Sequence, residues 1–254
     1  MLRFYIPLRS TQNDLWIPLS LHSVNSLLRM KISQQADAII VAAGSGTRFG
    51  AAKQFAVLSG VPLYQHSLKT FAEHPLIRRI VLVVSADDLD RIEKEVGTFS
   101  ILKKIEIAIG GATRQDSVAN GMQKLEELGS SKVVLVHDAA RPYVSKELIA
   151  NVIVGIEEFG SALAAIPVVD TLKHSDDGFS IATISRVNLW RAQTPQGARL
   201  ELLKQAMEFA RTTNHSATDE AELLERIGIK PLLVRGDERN VKITYEADLL
   251  KNFS

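Results

Sequence analysis

The chain has no cysteine among its 254 residues. That excludes disulfides, thiolate metal sites and a cysteine nucleophile, and it fits a reducing compartment. It also lacks an excess of either charge. Thirty Lys and Arg against 29 Asp and Glu leave a formal net charge of +1, so no nucleic-acid partner is expected and any anion site must be local. No apolar run approaches the roughly 20 residues needed to cross a bilayer, so no membrane partner is expected either. Internal repeats and low-complexity linkers are missing, which favours one domain over several. What remains is an ordinary globular composition, 46% hydrophobic and 23% charged.

Acid is scarce in one place. Residues 1–35 carry Arg3, Arg9, Arg29 and Lys31 against the single acid Asp14. Such an N-terminal extension reads either as a plastid transit peptide or as an over-extended start, with Met30 the first residue of a cytoplasmic bacterial protein. Pro7 and Pro18 interrupt any long amphipathic helix there, which favours the second reading.

From residue 36 short β-branched runs alternate with helical patterns. Strands are expected at 36–43, 78–85, 105–109, 132–138 and 161–168. Between them, PLYQHSLKTFAEH starts on Pro62, a residue suited to a first helical turn. Val118, Met122 and Leu125 line one helical face, and Leu148, Val152 and Ile156 line another. The pattern predicts an α/β fold: a single Rossmann-like domain over 36–254, with a mostly parallel twisted sheet flanked by helices. One insertion breaks it. VVDTLKHSDDGFSIATI holds two strand-like pieces around a turn sequence, so a β-hairpin arm is expected at about 169–187. A lone hairpin is marginal in water, and a second subunit is its natural support. A helix is expected over PQGARLELLKQAMEFA, another is expected to open with Thr218 as its N-cap, and IKPLLVRG and EADLLKNF supply a last strand and helix.

Four clusters carry chemistry. AIIVAAGSGTRFGAAKQF (38–55) runs a strand into a glycine-rich turn, the place where open α/β sheets bind ligands. The string GxxxxGK[ST] of a Walker loop is absent. Gly44, Gly46 and Gly50 are spaced one residue too widely for a dinucleotide fingerprint, and His66 and Lys69 stand where its ribose acid would be. A nucleoside triphosphate loop accounts for Arg48 and Lys53, cations that a dinucleotide does not need. The second cluster, GGATRQDS (110–117), places two glycines and a capping Thr113 ahead of a helix, suited to an anion or a base edge. In the third, VLVHDAARPYV (134–144), Asp138 ends a buried strand and suits a ribose hydroxyl or a hydrated Mg²⁺. His137 admits a general-base role or an orienting, packed one, and Pro142 holds the cation Arg141 rigidly. The fourth joins SRVNLWRAQTPQ (185–196) to RNVKIT (239–244). There Arg186, Thr194 and Lys242 can bind a second phosphate, and Trp190 is expected in the core.

AAGSGTRFG, GGATRQDSV, HDAARP, VDTLK, LWRAQTPQ, TDEA and NVKIT, in this order and at these spacings, resemble the 2-C-methyl-D-erythritol 4-phosphate cytidylyltransferases of the non-mevalonate isoprenoid pathway. The resemblance runs from about residue 36 to the end. It implies transfer of CMP from CTP to a sugar-alcohol phosphate by direct in-line attack, with Mg²⁺ held mainly by the CTP phosphates and no protein metal ligand assigned. By motif, Arg48, Lys53, Arg186 and Lys242 carry the catalysis. Ala42, Ala43, Gly44, Gly46, Gly111, Ala112, Ser117, Asp138 and Ala139 hold the nucleotide. Asp138, Arg141, Thr171, Arg186, Thr194 and Lys242 hold the acceptor. The resemblance also implies a homodimer in which the arm embraces a second subunit. The chain departs from the family string RxGxxxPKQ: the stretch from Arg48 to Lys53 is shorter and lacks the proline. Three alternatives stand beside this reading: a ribitol 5-phosphate cytidylyltransferase, a nicotinamide-dependent reductase, and a non-catalytic nucleotide-binding relative.

Overall fold

Strands that must be buried on both faces need continuous apolar runs, and three of the central strands have them. β1 (Ala36–Val41) is buried along nearly its whole length. The computed structural model describes residues 35–44, 53–97 and 105–250, and expectations for 1–34, 45–52 and 251–254 fall outside these. After β1 come a 3-10 turn at Lys53–Phe55, a small hairpin of β2 (Val57–Leu58) and β3 (Val61–Pro62), and helix α1 (Leu63–Ala72). β4 (Ile77–Val84), α2 (Leu89–Gly97), β5 (Ile105–Ile109), α3 (Arg114–Glu127), β6 (Val133–Asp138), α4 (Lys146–Phe159) and β7 (Ser161–Pro167) follow. Then come β8 (Leu172–Asp176), β9 (Phe179–Ile184), β10 (Trp190–Arg199), α5 (Leu200–Thr212), α6 (Glu220–Arg226), β11 (Leu232–Arg235) and a 3-10 turn at Glu246–Leu250.

Seven strands form one sheet in the order β11-β7-β10-β6-β1-β4-β5. All its pairs are parallel except those of β10, which runs antiparallel to both β6 and β7. The period-two alternation of strand side chains divides the core. Ile40, Leu82 and Leu135 face Phe71 of α1 and Ile153 of α4. Ile39, Val83 and Val136 face Val118 of α3, Leu203 of α5 and Leu224 of α6. Each such side chain removed from water contributes about 1.5–3 kcal/mol, so helices and sheet stabilise one another. No described helix is long and apolar enough to cross a membrane.

The expected strands and the first three expected helices are present. The expected helix at PQGAR is instead the second half of β10. Pro195 is tolerated there because the pairing with β7 shifts register between Ala192 and Gln196. Gly197 packs so closely that a Cβ on it would lie 2.3 Å from the carbonyl oxygen of Val134. The helical spacing begins only at Leu200, with Leu203 and Ala206 buried behind it. Thr218 is not the N-cap of α6. Asp219 fills that place and accepts the Glu222 amide, while Thr218 donates its own N–H and hydroxyl to the Glu222 carboxylate. Pro62 precedes α1 rather than opening it.

β8 and β9 pair only with each other. Their turn places Asp177 and Gly178 at positive φ, 44° and 82°, as a tight hairpin turn demands. Phe179 and Ile181, alternate residues of β9, are 76% and 58% exposed. Gly197→Ala is expected to lower stability by about 1–3 kcal/mol through overpacking against the β6 backbone. An unchanged urea midpoint would show that the strands can separate to admit the methyl group.

Candidate active site

The chain runs from β1 outward through β4 and β5, then returns to the other side of β1 with β6. The strand order therefore reverses between β1 and β6, and the carboxyl ends of those strands flank the crevice where doubly wound sheets bind ligands. Val41 and Asp138 are register partners there, and the Ala139 amide donates to the Val41 carbonyl at 3.0 Å. Ala42 is tied to Val83 at 2.7 Å, and Gly44 is exposed, with no atom of the described residues within 4 Å of where a Cβ would stand.

The GGATRQDS turn lies beside this loop. A Cβ on Gly110 would stand 2.4 Å from the Ala43 methyl, so the loops after β1 and β5 touch. The Gly111 amide donates to Ser117 Oγ at 3.1 Å, and that hydroxyl donates to the Thr113 carbonyl at 2.9 Å. The Ser117 hydroxyl thus orders the turn, and Gly111 and Ala112 face solvent. Thr113 and Asp116 form a capping box, as Thr113 promised. The structure accordingly brings Ala42, Ala43, Gly44, Gly111, Ala112, Ser117, Asp138 and Ala139 to one end of the sheet. Gly46 and Arg48 lie outside the described residues. The Lys53 backbone opens the 3-10 turn, and its neighbours anchor that turn. Gln54 donates to Asp88 at 2.9 Å, and the Arg91 guanidinium lies 3.8 Å above the Phe55 ring.

Asp138 is the electrostatic centre. It accepts from Arg114 Nε at 3.1 Å on one oxygen and pairs with Lys242 Nζ at 2.8 Å on the other, with Arg141 Nε 3.9 Å away. Burial by itself would push the carboxyl upward. Arg114, Lys242 and Arg141 outweigh burial and hold it far below the usual carboxylate range. Arg114 also grips Glu220 with two nitrogens, at 2.7 and 3.0 Å. Burial opposes its charge, but Glu220 and Asp138 hold its pKa above the ordinary value. Three cations against two carboxylates leave one surplus positive charge. Arg114 and Glu220 are absent from the sequence-based site. Both lie inside the quoted strings, Arg114 behind a capping threonine and Glu220 as a first-turn acid. Their pairing across 106 positions has no local signal.

Thr194 is buried, and its hydroxyl accepts the Asp138 amide at 3.0 Å. Its carbonyl accepts from Asn240 Nδ2 at 2.8 Å, and the Asn240 carbonyl accepts from Arg141 Nη1 at 2.8 Å. Asp138, Arg141, Thr194 and Lys242 are thus brought together by the TPQ and NVKIT segments. Arg186 and Thr171 are not part of this cluster. Both are exposed on the arm, where Arg186 donates to the Val169 carbonyl. Trp190 is not core: it is half-exposed at the foot of the arm, with the Arg235 guanidinium 5.9 Å above it. His137 is fully buried against Phe71, the packed alternative rather than the general base. Magnesium favours an octahedron of oxygens. Among the described residues no three His, Cys, Asp or Glu converge, and the Asp138 oxygens already face cations, so these residues do not form a cage for it.

Comparison with known proteins agrees with this geometry. The family model described as "IspD: 2-C-methyl-D-erythritol 4-phosphate cytidylyltransferase" matches residues 36–252. The enzyme of that name from Shouchella clausii is 41% identical over 215 residues, 84% of this chain and 93% of that one. A bifunctional enzyme IspD/IspF from Desulfotalea psychrophila is 44% identical over 214 residues, again 84% of this chain, and the match spans about half of that longer protein, 54%. The crystal structure of 4-diphosphocytidyl-2C-methyl-D-erythritol synthase from Anaerococcus prevotii superposes with a TM-score of 0.75 at 29% identity, covering 85% of this chain and 93% of that one. A fold with its ligand crevice at the β1/β6 reversal, and these matches over nearly all of it, place the chain in the 2-C-methyl-D-erythritol 4-phosphate cytidylyltransferase family of nucleotidyltransferases.

Proposed function

We propose that the protein transfers CMP from CTP to 2-C-methyl-D-erythritol 4-phosphate, giving 4-diphosphocytidyl-2-C-methyl-D-erythritol and pyrophosphate. The family match over residues 36–252 carries this reading. The crevice is consistent with it: backbone groups and small residues on the nucleotide side, a fixed cluster of cations on the other. An oxygen of the acceptor phosphate attacks the α-phosphorus of CTP. That P–O bond forms while the bond to the bridging oxygen of pyrophosphate breaks, and the leaving group takes the electron pair. No covalent enzyme intermediate is needed, in keeping with a chain that lacks cysteine. Mg²⁺, carried on the phosphate oxygens, would supply further neutralisation of their charge.

In this reading the residues work by position and charge. Arg48 and Lys53 face the triphosphate. Ala42, Ala43, Gly44, Gly46, Gly111, Ala112, Ser117 and Ala139 enclose the cytidine, and Asp138 meets its ribose. Arg141, Thr194 and Lys242 border the acceptor phosphate from the chain's own crevice. Arg186 and Thr171 reach an acceptor phosphate in a second copy of the chain, because the arm embraces that copy through Phe179 and Ile181. A cytoplasmic setting, with residues 1–35 outside the working domain of 36–254, completes the reading.

Purified protein with CTP and Mg²⁺ should release pyrophosphate with methylerythritol 4-phosphate and not with ribitol 5-phosphate. Release with ribitol 5-phosphate alone would assign a different acceptor. Arg48→Ala should reduce turnover by about 10²-fold or more in the same assay, as when one transition-state donor is lost. Phe179→Asp with Ile181→Asp should convert a dimer to a monomer in sedimentation equilibrium, and a dimer that survives both changes would remove the arm from the interface. The Asp138 cluster also predicts a pH dependence. An unfolded aspartate titrates near about 3.9, and the folded group titrates below that. The stabilisation is complete above about pH 5 and is lost as pH falls through about 4 toward the folded value. The gap in urea midpoint between wild type and Asp138→Asn should therefore narrow below about pH 4. A constant gap would mean that the cations do not hold Asp138 ionised.

A further inference from the structure

Both ring nitrogens of His137 are engaged. Nε2 lies 3.2 Å from the backbone oxygen of Arg141, an atom that can only accept, so Nε2 carries a proton. A neutral imidazole then presents Nδ1 as a lone pair. Nδ1 lies 3.0 Å from Thr194 Oγ1, and that oxygen accepts the Asp138 amide proton at 3.0 Å. The hydroxyl proton of Thr194 therefore points at His137. The ring is enclosed, tilted against Phe71 with centroids 5.0 Å apart. Burial pushes its pKa down to about 3; Asp138 opposes this and Arg141 adds to it, so the ring stays neutral.

A hydroxyl has one proton. With that proton directed at His137, Thr194 presents only a lone pair outward, and a phosphate oxygen at neutral pH presents lone pairs as well. Thr194 thus has no hydrogen bond to give an acceptor phosphate. On the reading that this strand end holds that phosphate, we propose that His137 is a positioning residue of the acceptor site, and that Thr194 acts through His137 rather than by donating to the substrate. The ring ties together the two segments that flank the end of β6. One nitrogen fixes the turn that carries Arg141, and the other fixes the TPQ strand. A rigid five-membered ring sets the separation of those two segments, and Lys242 and Arg141 are left as the charges that meet the phosphate.

The tautomer is readable without activity. In protein labelled with ¹⁵N-histidine, long-range ¹H–¹⁵N correlation should find His137 protonated on Nε2 alone. It should stay so when methylerythritol 4-phosphate is added to saturation. An Nδ1–H ring, or a ring that gains a second proton on that addition, would overturn the proposal, because Thr194 would then be free to donate. This result stands even if the protein proves to use another acceptor. Kinetics supply the second readout. His137→Phe keeps the volume and leaves the Thr194 proton without an acceptor. It should raise the KM for the acceptor about tenfold or more while the KM for CTP stays within about twofold. His137→Asn returns an acceptor oxygen toward Thr194 and should recover most of the loss. An unchanged acceptor KM in a folded Phe variant, or equal rises in both KM values, would sink the proposal. If the Phe variant does not fold, the tautomer measurement on the wild-type protein decides.

Discussion

One buried carboxylate organises the ligand end of this molecule. Asp138 sits at the end of a fully buried strand, where an isolated ionised group would be costly to bury. Arg114, Lys242 and Arg141 offset that cost and, in doing so, draw three distant segments to one point. Arg114 comes from the N-terminus of α3, Arg141 from the turn after β6, and Lys242 from the far C-terminal segment. Glu220 at the start of α6 offsets part of the remaining charge through Arg114 and leaves one positive charge in surplus. Removing a single member would leave an unpaired charge in a nearly dry site, which is why such networks act as units. The geometry of the crevice thus follows from the pairing of these charges.

The other side of the crevice is built by a different rule. Where the loops after β1 and β5 meet, side chains are almost absent. Gly110 and Ala43 approach so closely that one methyl group more would not fit, and the Ser117 hydroxyl is turned inward to hold the backbone. A surface of amides and small residues recognises by shape and hydrogen-bond direction. The cation cluster offers charge instead. Arg114, which opens α3, and Asp138 join the two halves.

Legibility in the sequence followed locality. The strand at 132–138 was readable because its Val and Leu run is buried on both faces, and the edge strand at 105–109 because Ile105, Ile107 and Ile109 alternate. The capping box at Thr113 was readable because its two partners lie three residues apart. β10 was not readable. Its residues from Gln196 onward share the spacing of the helix that follows, and only the close approach of Gly197 to β6 decides for a strand. Arg114 and Glu220 were missed because a salt bridge between helix termini leaves no periodic trace. Asp138 and Arg141 were found in one motif and Lys242 in another, and nothing in the spacing foretold that one carboxylate would hold all these cations together. Arg186 and Thr171 lie apart from that cluster because the arm carries them away from the sheet.

The arm leaves the sheet after β7 and returns at β10, two strands that are hydrogen-bonded to each other. Pro167 and Trp190 are register partners at its base, and the Val168 amide closes the loop on the Leu189 carbonyl at 2.9 Å. The excursion is therefore clamped shut before it begins. Loop-closure entropy grows only logarithmically with length, by about 0.6 kcal/mol per doubling. Residues can be gained, lost or exchanged between those two feet at little expense to the sheet. The fold thereby separates what it must keep from what it can vary: the cation cluster and the loops after β1 and β5 are tied to the core, while the arm is free to change at its own rate.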